Sequence, residues 1–388
     1  MVVYSDKKEA IPNLVSIDYN LEIYYYSRGL ADAMLEEEIR VKEPLESSEA
    51  YRVVHYRQLE SWLNLELEAA ESKRTRYFQP DYKDTQTYIR SLTSYRDKLL
   101  DTVGYPPLLL QSANMHVREE FIGEDPYCRM SRLFIPVADG MECYGIFMTP
   151  KQGVAPFPLM MVIHGGGGAP ELVCNLEKTS NYAEAGKKFI QEGYAVFAPL
   201  LIFKTEIESE IPNRVHYILD QKAKLIGTSL VAIQLWKLQQ GLSYLLTKPE
   251  IDKNKVGVAG LSYGGFYSLL LAAIEPRIGW CISSCYLNQR EAVNRNRPDE
   301  FMDWNWQGAL LLFSDVEIIG LICPKTCIIE VGCQDDLFLI DGARIVAEQA
   351  SKHYERLQLE DQFHYIEFEG GHEFNLKQAI EIMRDEWK

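Results

Sequence analysis

Residues 256–274 read VGVAGLSYGGFYSLLLAAI: a short apolar strand, a glycine-flanked serine, then a helix-forming run without a single charge. Few chains make that transition. A strand that enters a helix within one or two residues must bring the two elements into contact at the turn, and Gly260 and Gly264 remove the side chains that would block the approach. The same turn lifts the hydroxyl of Ser262 clear of the backbone, so the segment predicts a serine nucleophile at a strand end. An ordinary glycine-rich strand-to-helix turn is the alternative reading.

The chain around this turn has the texture of a layered α/β protein. LMMVIHG, YAVFAPLLI, IGWCISSCYL, KTCIIEVG and HYIEFEGG are near-continuous apolar runs. Helical segments near YAEAGKKFIQEG, over 219–247, near GARIVAEQASKHYERL and at the C-terminus alternate with them. Strands buried on both faces with intervening helices predict a doubly wound, mainly parallel sheet. Two further β-rich runs, RLFIPV and ECYGIFMTP, precede it. Residues 1–110 are charged and helix-favouring instead, with apolar positions such as Val54, Leu59, Trp62, Leu63, Leu65 and Leu67 three and four apart, which predicts amphipathic helices. The expected organisation is a helical N-terminal extension over 1–110 and a catalytic domain over 111–388, with insertions near 201–225 and 286–308 that would roof the site.

A serine hydroxyl is a weak nucleophile at neutral pH and needs a base, and the base needs an acid to hold its tautomer. Strand KTCIIEVG ends in Gly332-Cys333-Gln334-Asp335-Asp336, and strand HYIEFEGG ends in Gly371-His372-Glu373-Phe374. Both lie at strand C-termini, where open α/β sheets build their sites. His372 is the expected base. Asp335, three residues beyond Gly332, is the expected acid, with Asp336 as the alternative. The oxyanion formed by attack needs preorganised donors. These are expected from the Tyr263 N–H at the start of a helix and from the loop His164-Gly165-Gly166-Gly167-Gly168, with Gly165 and Gly166 as donors. That loop lacks the G-x-G-x-x-G spacing and the Lys-Ser/Thr of a phosphate-binding loop.

Taken together, HGGGG at 164–168, GLSYGG at 260–265, VGCQDD at 331–336 and GGHEF at 370–374 resemble the α/β-hydrolase superfamily, and within it the dienelactone-hydrolase-like and acetyl xylan esterase-like branch. The resemblance implies an α/β-hydrolase fold with the order nucleophile, acid, base, and carboxylic-ester hydrolysis, often on acylated or uronate-bearing carbohydrates. A dienelactone hydrolase proper would carry cysteine where this chain has Ser262, which favours a serine esterase. A serine peptidase or amidase of the same fold, and a non-catalytic binding relative, remain alternative readings. Trp304 and Trp306 are candidates for stacking on a substrate sugar or acyl group, and Arg290, Arg295 and Arg297 for meeting a carboxylate.

Charge and cysteine usage narrow the remaining classes. The formal net charge of −16, with no basic run to offset it, argues against nucleic acid and anionic membrane surfaces as partners. The eight cysteines form no C-x-x-C pair and lie mostly in apolar runs, which predicts reduced, buried thiols. No metal or organic cofactor is required by the chemistry. The first residues lack a signal-peptide pattern and no stretch has transmembrane length, so a soluble, cytoplasmic protein is expected. The helical extension makes a homo-oligomer a further expectation.

Overall fold

The computed structural model describes residues 45–107, 116–176, 180–203, 215–296 and 303–386. Two compact units divide between Glu66 and Leu67. The described part of the first lies in helix α1 (Leu45–Tyr77). Its apolar residues do not gather into one stripe but spread around the helix, among Glu and Arg on every side. Tyr51, Val54, Leu59, Trp62, Leu63 and Leu65 are accordingly exposed. The amphipathic face expected from their spacing is absent because the positions between them are filled by apolar residues out of phase.

The second unit begins earlier than the sequence boundary at 110. Helices α2 (Thr85–Ser91) and α3 (Thr93–Val103) belong to it. They place Tyr88, Leu92, Leu99 and Val103 in its main core. Asp84 caps α2 by accepting the Thr87 N–H at 2.8 Å.

Among the described residues nine strands then form one sheet in the order β1-β2-β3-β5-β4-β6-β7-β8-β9. They are β1 (Arg118–Glu124), β2 (Cys128–Ala138), β3 (Met141–Pro150), β4 (Phe157–Ile163), β5 (Ala195–Pro199), β6 (Ile251–Leu261), β7 (Trp280–Ser284), β8 (Thr326–Gly332) and β9 (Phe363–Phe368). Strands β1, β2, β3 and β5 pair antiparallel, and everything from β5 through β9 pairs parallel. The sheet is therefore mainly parallel. β1 escapes the apolar-run criterion because it is an edge strand whose residues are mostly exposed.

Helices cover both faces. On one side Leu159, Met161, Ile163 and Val258 meet α7 (Leu230–Leu245) and α8 (Tyr263–Ile274) through Leu235, Leu238, Phe266 and Leu270. Alternate residues of the same strands, Met160, Val162 and Ala259, face α5 (Ala185–Gln191) and α13 (Lys377–Glu386) through Phe189 and Met383. The long helical stretch expected over 219–247 is two helices, α6 (Val215–Lys224) and α7, broken at Gly227 (φ 79°), with Ser229 capping α7. No helix among the described residues is long and apolar enough to cross a membrane. The expected insertions lie partly outside the described residues, which omit 204–214 and 297–302.

Candidate active site

The chain leaves β4 for β5 on one side and later places β6 on the other, so the ends of β4 and β6 flank the point where the winding reverses. Ligand crevices of open α/β sheets form there. The glycine loop follows β4 and Ser262 follows β6, with Ile163 and Gly260 in register. Ser262 sits at φ 58°, ψ −121° as the residue before α8. A non-glycine residue in that region stores roughly 1–3 kcal/mol of backbone strain. The turn closes only because its flanks are bare. A Cβ on Gly260 would lie 2.0 Å from Gly264 O, and one on Gly264 would lie 2.2 Å from Ile163 O.

The glycine loop lies against the serine: a Cβ on Gly165 would meet Ser262 Cβ at 3.2 Å. His164 anchors it. Its Nδ1–H donates to Gly165 O at 2.7 Å, and its Nε2 accepts the Leu201 N–H at 2.9 Å. Burial pushes its pKa down to about 4, which keeps the ring neutral and fixes that pair of roles. One expectation needs correction here. The Gly165 N–H already donates to the Tyr182 hydroxyl at 2.9 Å, because Tyr182 packs beneath the loop, so Gly166 is left as the loop's candidate donor. The other candidate is the Tyr263 N–H, in the first turn of α8, where no intrahelical carbonyl can satisfy it. The Tyr263 side chain is held from the far side by buried Asp303, which accepts from Tyr263 Oη at 2.5 Å and from Tyr267 Oη at 2.7 Å.

Asp335 and His372 come together from β8 and β9, with His372 Nδ1 2.8 Å from Asp335 Oδ2. Their loops meet closely. A Cβ on Gly332 would lie 2.2 Å from Gly371 O, and Gln334 N–H donates to Gly370 O at 2.8 Å. Burial works against the Asp335 charge, but the His372 ring and the N–H groups of Phe338 and Leu337 outweigh it and hold the carboxyl below its usual range. Asp336 is exposed on the same turn. Phe338 stacks on the His372 ring with centroids 5.8 Å apart and planes at 21°.

The end of β7 joins the two halves. Ser262 N–H donates to Ser284 O at 2.8 Å. The next residue, Cys285 (φ 51°), puts its Sγ 3.7 Å from Gly371 O and 3.4 Å from Glu373 O, the carbonyls that bracket His372. Ser262 and His372 therefore flank one strand terminus. Glu330, buried in β8, accepts from Ser284 Oγ at 2.7 Å and from Leu376 N–H at 2.9 Å, tying β7 to the loop that carries His372. An acidic residue inside the apolar run KTCIIEVG was the available signal for this role. Nothing in the sequence singled out Tyr182 or Phe338.

The substrate-side expectations fare differently. Trp304 and Trp306 are 2% and 4% exposed, in the core with Phe266, Tyr286 and Phe338 rather than open for stacking. Arg290 is buried as well, paired with Asp315 at 2.8 Å and lying 5.0 Å from the Trp306 ring. The sequence could not separate a loop aromatic from a core aromatic, since both read as Trp between polar residues. The Arg295 side chain and Arg297 lie outside the described residues. A surface hollow lined by Pro158, Tyr194, Lys255 and Arg384 opens towards the opposite, N-terminal ends of β4 and β5. All eight cysteines are free thiols and only Cys333 is exposed. Among the described residues, the one group of His, Cys, Asp and Glu close enough to share a metal ion is Cys285, Asp335 and His372.

Residues 144–284 match the family model described as Dienelactone hydrolase family. With the nine-stranded sheet and its elbow, that match decides the fold class. The chain has the α/β-hydrolase fold. The matched stretch holds the glycine loop and Ser262, while Asp335 and His372 lie beyond it. The chain is 22% identical over 279 residues to YtaP of Bacillus subtilis (strain 168), a protein named as a hydrolase, covering 69% of this chain and 87% of YtaP. Its fold is similar to that of a glucuronoyl esterase from Teredinibacter turnerae T7901, with TM-score 0.56 and 16% identity over 77% of this chain and 86% of the other. It is also similar to that of an acetyl xylan esterase from Paenibacillus sp. R4, with TM-score 0.51 and 16% identity over 81% and 98%.

Proposed function

We propose that this α/β-hydrolase is a serine esterase in which Ser262, His372 and Asp335 act as nucleophile, base and acid. The observation that carries the reading is the shared β7 terminus, with the strained serine hydrogen-bonded on one side and the Asp335-paired histidine bracketed on the other. In this reading His372 takes the proton of Ser262 Oγ as the oxygen attacks the ester carbonyl. The tetrahedral oxyanion rests on the N–H groups of Tyr263 and Gly166, each worth about 3 kcal/mol where such a donor has been removed. Collapse transfers the proton to the leaving alkoxide, and water then releases the acyl group from Ser262 with His372 as base. The substrate class is an ester on a carbohydrate, acyl or uronate, a proposal supported by the glucuronoyl and acetyl xylan esterases of similar fold.

The test compares wild type with Ser262→Ala on p-nitrophenyl acetate and butyrate, alongside labelling by a fluorophosphonate. Turnover and labelling that vanish together in the variant support the reading; turnover unchanged in the variant removes Ser262 from its role. An amide cleaved faster than the matched ester would replace esterase by amidase.

A further inference from the structure

We propose that Cys285, Asp335 and His372 form a binding site for a zinc-like divalent ion, and that occupation of this site reversibly shuts off the hydrolase. The inhibition rests on the esterase reading above; the metal site itself does not. Sγ of Cys285, a carboxylate oxygen of Asp335 and a ring nitrogen of His372 all lie within 4.8 Å of one another. One sulfur, one nitrogen and one oxygen ligand with a fourth position left over is a donor set that suits zinc; with ligand–metal bonds of about 2.0–2.3 Å the Asp335–His372 edge, 2.8 Å here, would widen slightly while Cys285 Sγ closes in. The backbone holds the three in place. Cys285 N–H donates to Glu330 O at 2.8 Å, Asp335 is fixed by the N–H groups of Leu337 and Phe338, and Asn181 Nδ2 donates to His372 O at 3.1 Å. The Cys285 thiol is free and buried, and a bound metal would displace its proton.

The consequence for catalysis follows from the imidazole. Asp335 keeps the proton on Nδ1 of His372, which leaves Nε2 as the acceptor a base requires. An ion bound at Nδ1 displaces the proton there and takes the Nδ1 lone pair, and the single proton of the neutral ring then resides on Nε2. The ring becomes a donor where it has to accept, and the Asp335 oxygen is drawn to the ion. The thiol proton of Cys285 goes to solvent, so binding brings two positive charges against one thiolate and one carboxylate.

The test titrates the full chain, reduced and free of chelator, with cobalt(II) as a spectroscopic stand-in. A near-ultraviolet thiolate-to-cobalt band should saturate at one equivalent and be displaced by zinc. In parallel, zinc should inhibit p-nitrophenyl acetate hydrolysis, and EDTA should restore it. Cys285→Ala should lose the band and, measured against its own uninhibited rate, need at least about ten-fold more zinc for equal fractional inhibition. Cys285→Ser serves where the alanine variant does not fold, and Cys333→Ala, which removes the exposed thiol, should change nothing. A wild type without the band, or a band that persists in the Cys285 variants or disappears in Cys333→Ala, overturns the site. A Cys285-dependent band in a chain that hydrolyses no ester would uphold the site and sink the esterase reading.

Discussion

Asp335 accepts the Nδ1–H of His372 at 2.8 Å while two backbone N–H groups, of Leu337 and Phe338, converge on its other oxygen. The carboxylate is thus fixed on one side by the chain and on the other by the ring it orients. Asp335→Asn should lower kcat on p-nitrophenyl acetate by about 10³–10⁴-fold, because an amide presents the wrong partner to Nδ1. Exposed Asp336→Asn should stay within about two-fold of wild type. A reversed pair of results would assign the acid to Asp336.

Glu330 gives the protein a pH dependence of known sign. Burial lifts its carboxyl to about 7 from an ordinary value of 4.5, against the Ser284 hydroxyl and the Leu376 N–H, which favour the ionised form. The folded state therefore holds this proton over a range where the unfolded chain has released it. Its contribution is fully present below about pH 4.5 and is lost progressively as pH rises to about 7, a loss of order 3 kcal/mol. Glu330→Gln should flatten that decline, since an amide still accepts from Leu376 N–H and donates to Ser284 Oγ. Urea unfolding at pH 5 and pH 8 for both proteins checks this: an equal decline in both would assign the dependence to other groups.

Trp304 packs on Phe266, Tyr286 and Phe338, and Phe338 in turn stacks on His372. Trp304→Ala should cost about 3–5 kcal/mol in stability, as other large-to-small core changes do. Unfolding midpoints together with KM read this directly. A variant of unchanged stability and raised KM would return Trp304 to the substrate pocket.

Arg290 and Asp315 form a buried pair to which Tyr286 Oη also donates, at 3.1 Å. Removing one charge leaves the other buried and unpaired, so Arg290→Ala should lose about 3–5 kcal/mol. Uronate esters and uncharged esters should lose turnover alike in any residual folded fraction. Loss confined to uronate esters would give Arg290 a recognition role instead.

The order of strands and helices, the elbow at Ser262 and the glycine loop at 164–168 were legible in the sequence because each is local. Apolar runs report burial on both faces, and a strand that turns into a helix needs glycines at fixed offsets. The same locality explains what was misread. Spacing placed Val54, Leu59 and Trp62 on one face, whereas helix α1 spreads its apolar residues around. The long helix over 219–247 broke at Gly227, and the helical segments up to 103 joined the core of the second unit. Which way a side chain points between elements is a tertiary fact. Only the packing sent Trp304 and Trp306 inward, took the Gly165 N–H for Tyr182, and set Glu330 across β7 to hold the histidine loop. Cys285, 87 residues before His372 in the chain, came beside it because β7, β8 and β9 lie in parallel register, and that register depends on the whole sheet.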